Sequence, residues 1–70
     1  MDSLTEEILQ LVKKKMREQG AYDRAAYREF IEETIEYFKE KGKLTDDDNE
    51  EFIIDQLMEM WEVVEERLAR

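Results

Sequence analysis

Hydrophobic residues recur along this chain at spacings of three and four, the period of helices that bury one face. Leu4, Ile8, Leu9, Leu11, Val12 and Met16 fall on one side of a first helix. Tyr27, Phe30, Ile31, Ile35, Tyr37 and Phe38 do so on a second, with the polar Thr34 in mid-face. Ile53, Ile54, Leu57, Met58, Met60, Trp61, Val64 and Leu68 do so on a third. Gly20 and Gly42 stand where periodic runs end, and glycine enters the left-handed conformation that closes a helix at least cost. The pattern predicts helices over about 4–19, 24–41 and 46–69. Short connections make sequential helices antiparallel neighbours. The expected fold is all-α: one domain over 1–70, an antiparallel up-down-up three-helix bundle. A helical hairpin that completes its core by dimerising is the alternative.

Each predicted helix has a start signal. Ser3 with Glu6 has capping-box spacing, and Thr45 with Asp48 repeats it. Asp23 caps the second helix, with Tyr22 and Tyr27 at the positions of a hydrophobic staple. Asp46 and Asp47 lie at the positive end of the third helix dipole, and Lys13, Lys14, Lys15 and Arg17 at the negative end of the first. A chain of 70 residues buries only roughly 60% of its unfolded surface. Stability of roughly 3–10 kcal/mol follows.

Two features exceed a minimal bundle. The third predicted helix is longer than the first by about eight residues, an overhang of about 12 Å at the helical rise, and Val64 and Leu68 lie towards it. Phe52 and Val63, about three turns apart on one line, fall opposite the main stripe of that helix. Such residues are either incidental surface or a second contact surface, for self-association or for another protein.

Charge sharpens this. Residues 1–44 carry 10 acids and 9 bases, whereas residues 45–70 carry 10 acids and 2 bases, so nearly all of the net charge of −9 sits on the third helix. Asp48, Asp55, Glu59, Glu62 and Glu66 share one face there, although like charges at i,i+4 are mutually unfavourable. The ridge is a solvated face that keeps a small protein soluble, or it steers the chain towards a basic partner surface. An acidic decoy that fills a basic nucleic-acid-binding cleft is one version of the second reading.

Composition removes most other classes. His, Cys and Pro are absent, which leaves no disulfide, no thiolate metal site and no imidazole base. The negative charge repels nucleic acid and anionic lipid alike. The start lacks a basic stretch followed by an apolar run, and the longest strongly apolar run is Phe52-Ile53-Ile54, so neither a membrane partner nor a signal peptide is expected and the default localisation is cytoplasmic.

Chemistry-bearing motifs are weak. With Asp46 first, Asp48 third and Glu50 fifth, an EF-hand loop fails at its sixth position, Glu51, and its twelfth, Leu57, where Gly and a bidentate Glu are required. Paired carboxylates abound, but an acid/base pair needs a concave site that raises one pKa. Ser3 has no His partner, and Tyr22, Tyr27 and Tyr37 read as core-edge residues. The cluster Lys13 to Arg17 has no aromatic interleaving and reads as dipole complement and solvated surface. Asp2-Ser3-Leu4 resembles the tripeptide that carries the phosphopantetheine arm in acyl carrier proteins. In that family it follows a Gly-containing loop at the second helix, whereas here it opens the first, so the arm is not carried over. Trp61 with Met58 and Met60 has the makings of an adaptable groove, though helical spacing places them in the core.

The expected function is non-catalytic, with no cofactor and no metal. The chain reads as a small interaction module that meets a basic protein surface through Phe52, Asp55, Glu59, Glu62, Val63 and Glu66. A homodimer through Phe52, Val63 and the overhang is the competing partner. A designed bundle without a biological partner is a further alternative: both glycines are stops and every helix is capped. The unrelieved ridge, the off-face hydrophobes and four methionines argue against design.

Overall fold

The computed structural model describes residues 3–44 and 50–68, Leu68 by its backbone alone. Their regular structure is all helical, with no strand among the described residues: α1 (Ser3–Gln19), α2 (Arg24–Glu40), α3 (Glu50–Glu59) and α4 (Trp61–Leu68). The radius of gyration, 11.6 Å, is close to the ~11 Å of a compact chain of this length.

The ends of α1 and α2 follow from local chemistry. Gly20 and Gly42 take φ of +66° and +73°. Past Gly20 the Ala21 N–H returns to the Met16 carbonyl at 3.1 Å. Past Gly42 the Lys43 N–H returns to Phe38 at 2.9 Å, and Gly42 itself donates to Lys39 at 3.1 Å. The Gly42 end shows both bonds by which a left-handed residue closes a helix, and the Gly20 end shows the longer of the two. Asp23 caps α2 as expected, its Oδ1 accepting the Ala26 N–H at 2.7 Å. Tyr22 of the expected staple is half exposed while Tyr27 is buried. Glu6 accepts a bond from Gln10 at 3.0 Å, one turn along α1. Thr45, Asp46, Asp47 and Asp48 lie outside the described residues.

Contacts between helices show their directions. Lys43, past the end of α2, reaches Glu7 near the start of α1, and Lys15 meets Glu33 at 3.1 Å, so α1 and α2 run antiparallel. Lys39 late in α2 meets Glu50 at the start of α3 at 2.6 Å, and Tyr27 early in α2 meets Leu57 late in α3, so α3 reverses again. One apolar cluster results: Ile8, Leu9, Val12 and Met16 from α1, Tyr27, Ile31, Ile35 and Phe38 from α2, and Ile53, Leu57 and Val64 from the last two helices. Leu44, beyond the second glycine, joins it. Thr34 sits in this core without penalty because its hydroxyl donates to the Phe30 carbonyl at 2.7 Å.

Some expected positions are corrected. The third predicted helix is two helices, interrupted at Met60. Val64, expected on the apolar stripe but towards an overhanging end, is 1% exposed and packs in the core, with α4 in contact with α1, so the chain does not overhang at that residue. Leu11 and Tyr37 are exposed, since both lie at the edge of their apolar stripes. Lys13, read as solvated, is buried; a long aliphatic stem lets lysine cover apolar surface in this way.

Candidate interaction surface

The outward side of α3 carries Phe52, Asp55 and Glu59 at i, i+3 and i+7, one face of a helix. All three are exposed, Phe52 by 57%. On α4, Glu62, Val63 and Glu66 are likewise exposed, Val63 by 51%. The sequence-predicted residues are thus all at the surface, but on two helices rather than one. The phase that aligned Phe52 with Val63, and Glu59 with Glu62, assumed an unbroken helix, and the interruption at Met60 resets it. Asp48, the first member of the expected ridge, lies outside the described residues.

A second acidic feature adjoins the first. Between α2 and α3 runs a groove of about 580 Å³ lined by Glu29, Glu32, Glu33 and Glu36 of α2 and by Glu50, Glu51 and Ile54 of α3, with Arg28 at its wall. Arg28 pairs with Glu32 at 3.1 Å, and Glu33 and Glu50 are held by Lys15 and Lys39. Among the described residues no ion pair engages Glu29, Glu36 or Glu51. Glu51 stands one turn before Asp55, which stands one turn before Glu59, so the groove continues into the outward face of α3.

Sequence reasoning missed the α2 half of this surface. Summed over 1–44 the charge nearly cancels, yet much of the cancelling charge belongs to α1 and the turns. The signal was present: residues 29, 32, 33 and 36 follow the i, i+3, i+4, i+7 spacing of one helix face.

The basic side is differently built. Lys15 lies over the Phe30 ring at 5.7 Å, Lys41 over Tyr37 at 5.6 Å and Lys43 over Phe38 at 5.5 Å. Cations here are drawn down onto aromatic faces and into ion pairs. A small apolar hollow of about 200 Å³ opens among Leu11, Lys15, Glu33, Thr34 and Tyr37.

For chemistry the surface offers carboxylates and little else. Among the described residues no group of three or more acids is gathered closely enough to hold a metal ion. Among the described residues one titratable group is strongly perturbed: burial pushes the Tyr27 hydroxyl up to about 12. That group faces the core rather than the groove, bonded to the Leu57 carbonyl at 2.6 Å. No described helix is long and apolar enough to cross a membrane. Comparison with protein families, curated proteins and solved structures finds no match.

Proposed function

We propose that this chain is a non-catalytic interaction module that binds a basic surface of another protein through the acidic side formed by α2, α3 and α4. The observation that carries the reading is the continuity of charge and apolar anchors. The groove acids lead through Glu51 to Asp55 and Glu59, with Phe52 exposed beside them and Glu62, Val63 and Glu66 exposed on α4. Opposite charge raises the encounter rate and selects the partner, while apolar anchors slow release. Within this proposal the helices keep the up-down-up order, the third limb being α3 and α4 in series.

Reversal of two charges tests it. The double variant Glu59→Lys, Glu62→Lys alters exposed positions, so the fold should survive. The probe is an amphipathic Lys/Arg-rich helical peptide, compared with an oligolysine of equal charge. The reading expects tighter binding of the amphipathic peptide to the parent chain and loss of that preference on reversal. Equal binding of the two peptides, or binding indifferent to the reversal, overturns it. A homodimer would instead bury Phe52 and Val63, and a mass of 8.5 kDa in light scattering at low and high salt would exclude that assignment.

A further inference from the structure

From Gln56 to Trp61 the chain contains neither Gly nor Pro, and every residue is compatible with a helix. Nothing local stops a helix there, yet α3 ends at Glu59 and α4 begins at Trp61. Where Pro and Gly are absent, such interruptions arise when another group enters the i→i−4 ladder. The Tyr27 hydroxyl donates to the Leu57 carbonyl at 2.6 Å, the acceptor that an unbroken helix offers to the Trp61 amide. The same carbonyl takes the Met60 N–H at 3.1 Å, the tighter i→i−3 closure of a terminating turn. Beyond it the ladder resumes, Val64 donating to Met60 at 3.0 Å. Tyr27 is fully buried, and its ring lies 4.9 Å from that of Trp61 across the junction. A phenol held there must find a protein acceptor, because an unsatisfied buried hydroxyl is costly.

We propose that Tyr27 is a latch: its hydroxyl, by occupying the Leu57 carbonyl, divides one helix into α3 and α4, and loss of that bond joins them over residues 50–68. The two states present different surfaces. Joined, the helix carries Asp55, Glu59, Glu62 and Glu66 at spacings of four, three and four along one face, with Phe52 and Val63 on one line. Divided, it presents them on two helices. Ile53, Leu57 and Val64 share a face in the joined form too, so joining leaves their apolar phase intact. The latch therefore sets whether the acidic face is one surface or two. It is a property of the free chain and stands or falls without any partner.

The test is Tyr27→Phe, which keeps the ring and removes the hydroxyl, read by backbone NMR and amide exchange on the whole chain. The Trp61 amide opens α4, where the first N–H groups of a helix lack an intrahelical acceptor. In the variant it is expected to gain the Leu57 carbonyl and to exchange at least about tenfold more slowly. The carbon shifts of residues 58–62 become those of continuous helix. A folded Tyr27→Phe chain that keeps the interruption overturns the proposal. Met60→Ala supplies an independent arm, because it improves helix propensity at the junction and leaves Tyr27 in place. The latch predicts that Met60→Ala remains divided. A continuous helix in Met60→Ala would place the cause at residue 60 and overturn the proposal even if Tyr27→Phe failed to fold.

Discussion

The α1–α2 hairpin and the α3–α4 limb are held by different means. In the hairpin three of the four helix ends have a residue that sets them: Gly20 and Gly42 at positive φ, and Asp23 capping Ala26. Its two helices supply eight of the buried apolar residues, including Tyr27 and Phe38. The limb contributes three, Ile53, Leu57 and Val64, and its interruption is held from outside by the hydroxyl of α2. Exposed acids occur in both regions, and what differs is the number of bases beside them. Lys15, Lys39, Lys41 and Lys43 of the hairpin and its closing turn engage glutamates or aromatic rings, whereas the limb shows five exposed acids, from Asp55 through Glu66, and a single described base, Arg67. The hairpin thus holds most of the described core, and the limb has little basic charge beside its exposed acids.

The largest break in this contrast comes from Phe38. Phe38→Ala empties a site that is 1% exposed and should cost about 3–5 kcal/mol, enough to unfold much of the population in urea-free buffer. Val64→Ala in the limb removes two carbons from the core and should cost only about 1–2 kcal/mol. Urea titration of both variants measures the difference, and equal losses would erase the distinction between the two regions.

Alkaline titration isolates the contact between them. Tyr27 in the folded chain is held protonated up to about 12, against an ordinary value of 10. Below pH 10 both folded and unfolded tyrosine carry the proton and stability is unaffected. Between pH 10 and 12 the unfolded chain has released it while the folded chain retains it, so stability falls as pH rises. Relative to Tyr27→Phe, which cannot titrate there, the parent chain should lose up to roughly 2–3 kcal/mol across that window. Parallel denaturation curves would show that the hydroxyl is not buried against Leu57.

Smaller effects sharpen the picture of the helix ends. A Cβ added at Gly42 meets nothing within 4 Å, so Gly42→Ala suffers only the left-handed backbone, about 1–2 kcal/mol. The ion pair of Lys15 with Glu33 joins α1 to α2 at 3.1 Å with both side chains about half exposed. Glu33→Gln should therefore shift stability by less than about 1 kcal/mol, and less still in high salt. A larger loss would mean that the hairpin depends on charge rather than on its core.

What could be read from sequence divides in the same way. Helix class, the stops at Gly20 and Gly42, and the Asp23 cap are local, because each depends on a residue acting on its own few neighbours. The interruption at Met60 is not local. Residues 56–61 contain no breaker, and the group that stops the helix lies thirty residues earlier in Tyr27. Leu44 escaped notice because it follows the periodic run of α2, and it is buried by the turn that Gly42 makes. Of the candidate surface, Phe52, Asp55, Glu59, Glu62, Val63 and Glu66 were legible as exposed positions. Their alignment was not, since it rested on an unbroken helix. The groove required knowing that Glu29, Glu32, Glu33 and Glu36 face Glu50 and Glu51 across two helices.

The most direct measurement of the central claim is residue-level NMR mapping of the amphipathic basic peptide on the isotopically labelled chain at low and high salt. The account predicts shift changes concentrated at Phe52, Asp55, Glu59, Glu62, Val63 and Glu66 and along the groove acids, weakening as salt rises. Changes centred on the hollow of Leu11 and Tyr37, or spread evenly over all carboxylates, would contradict it.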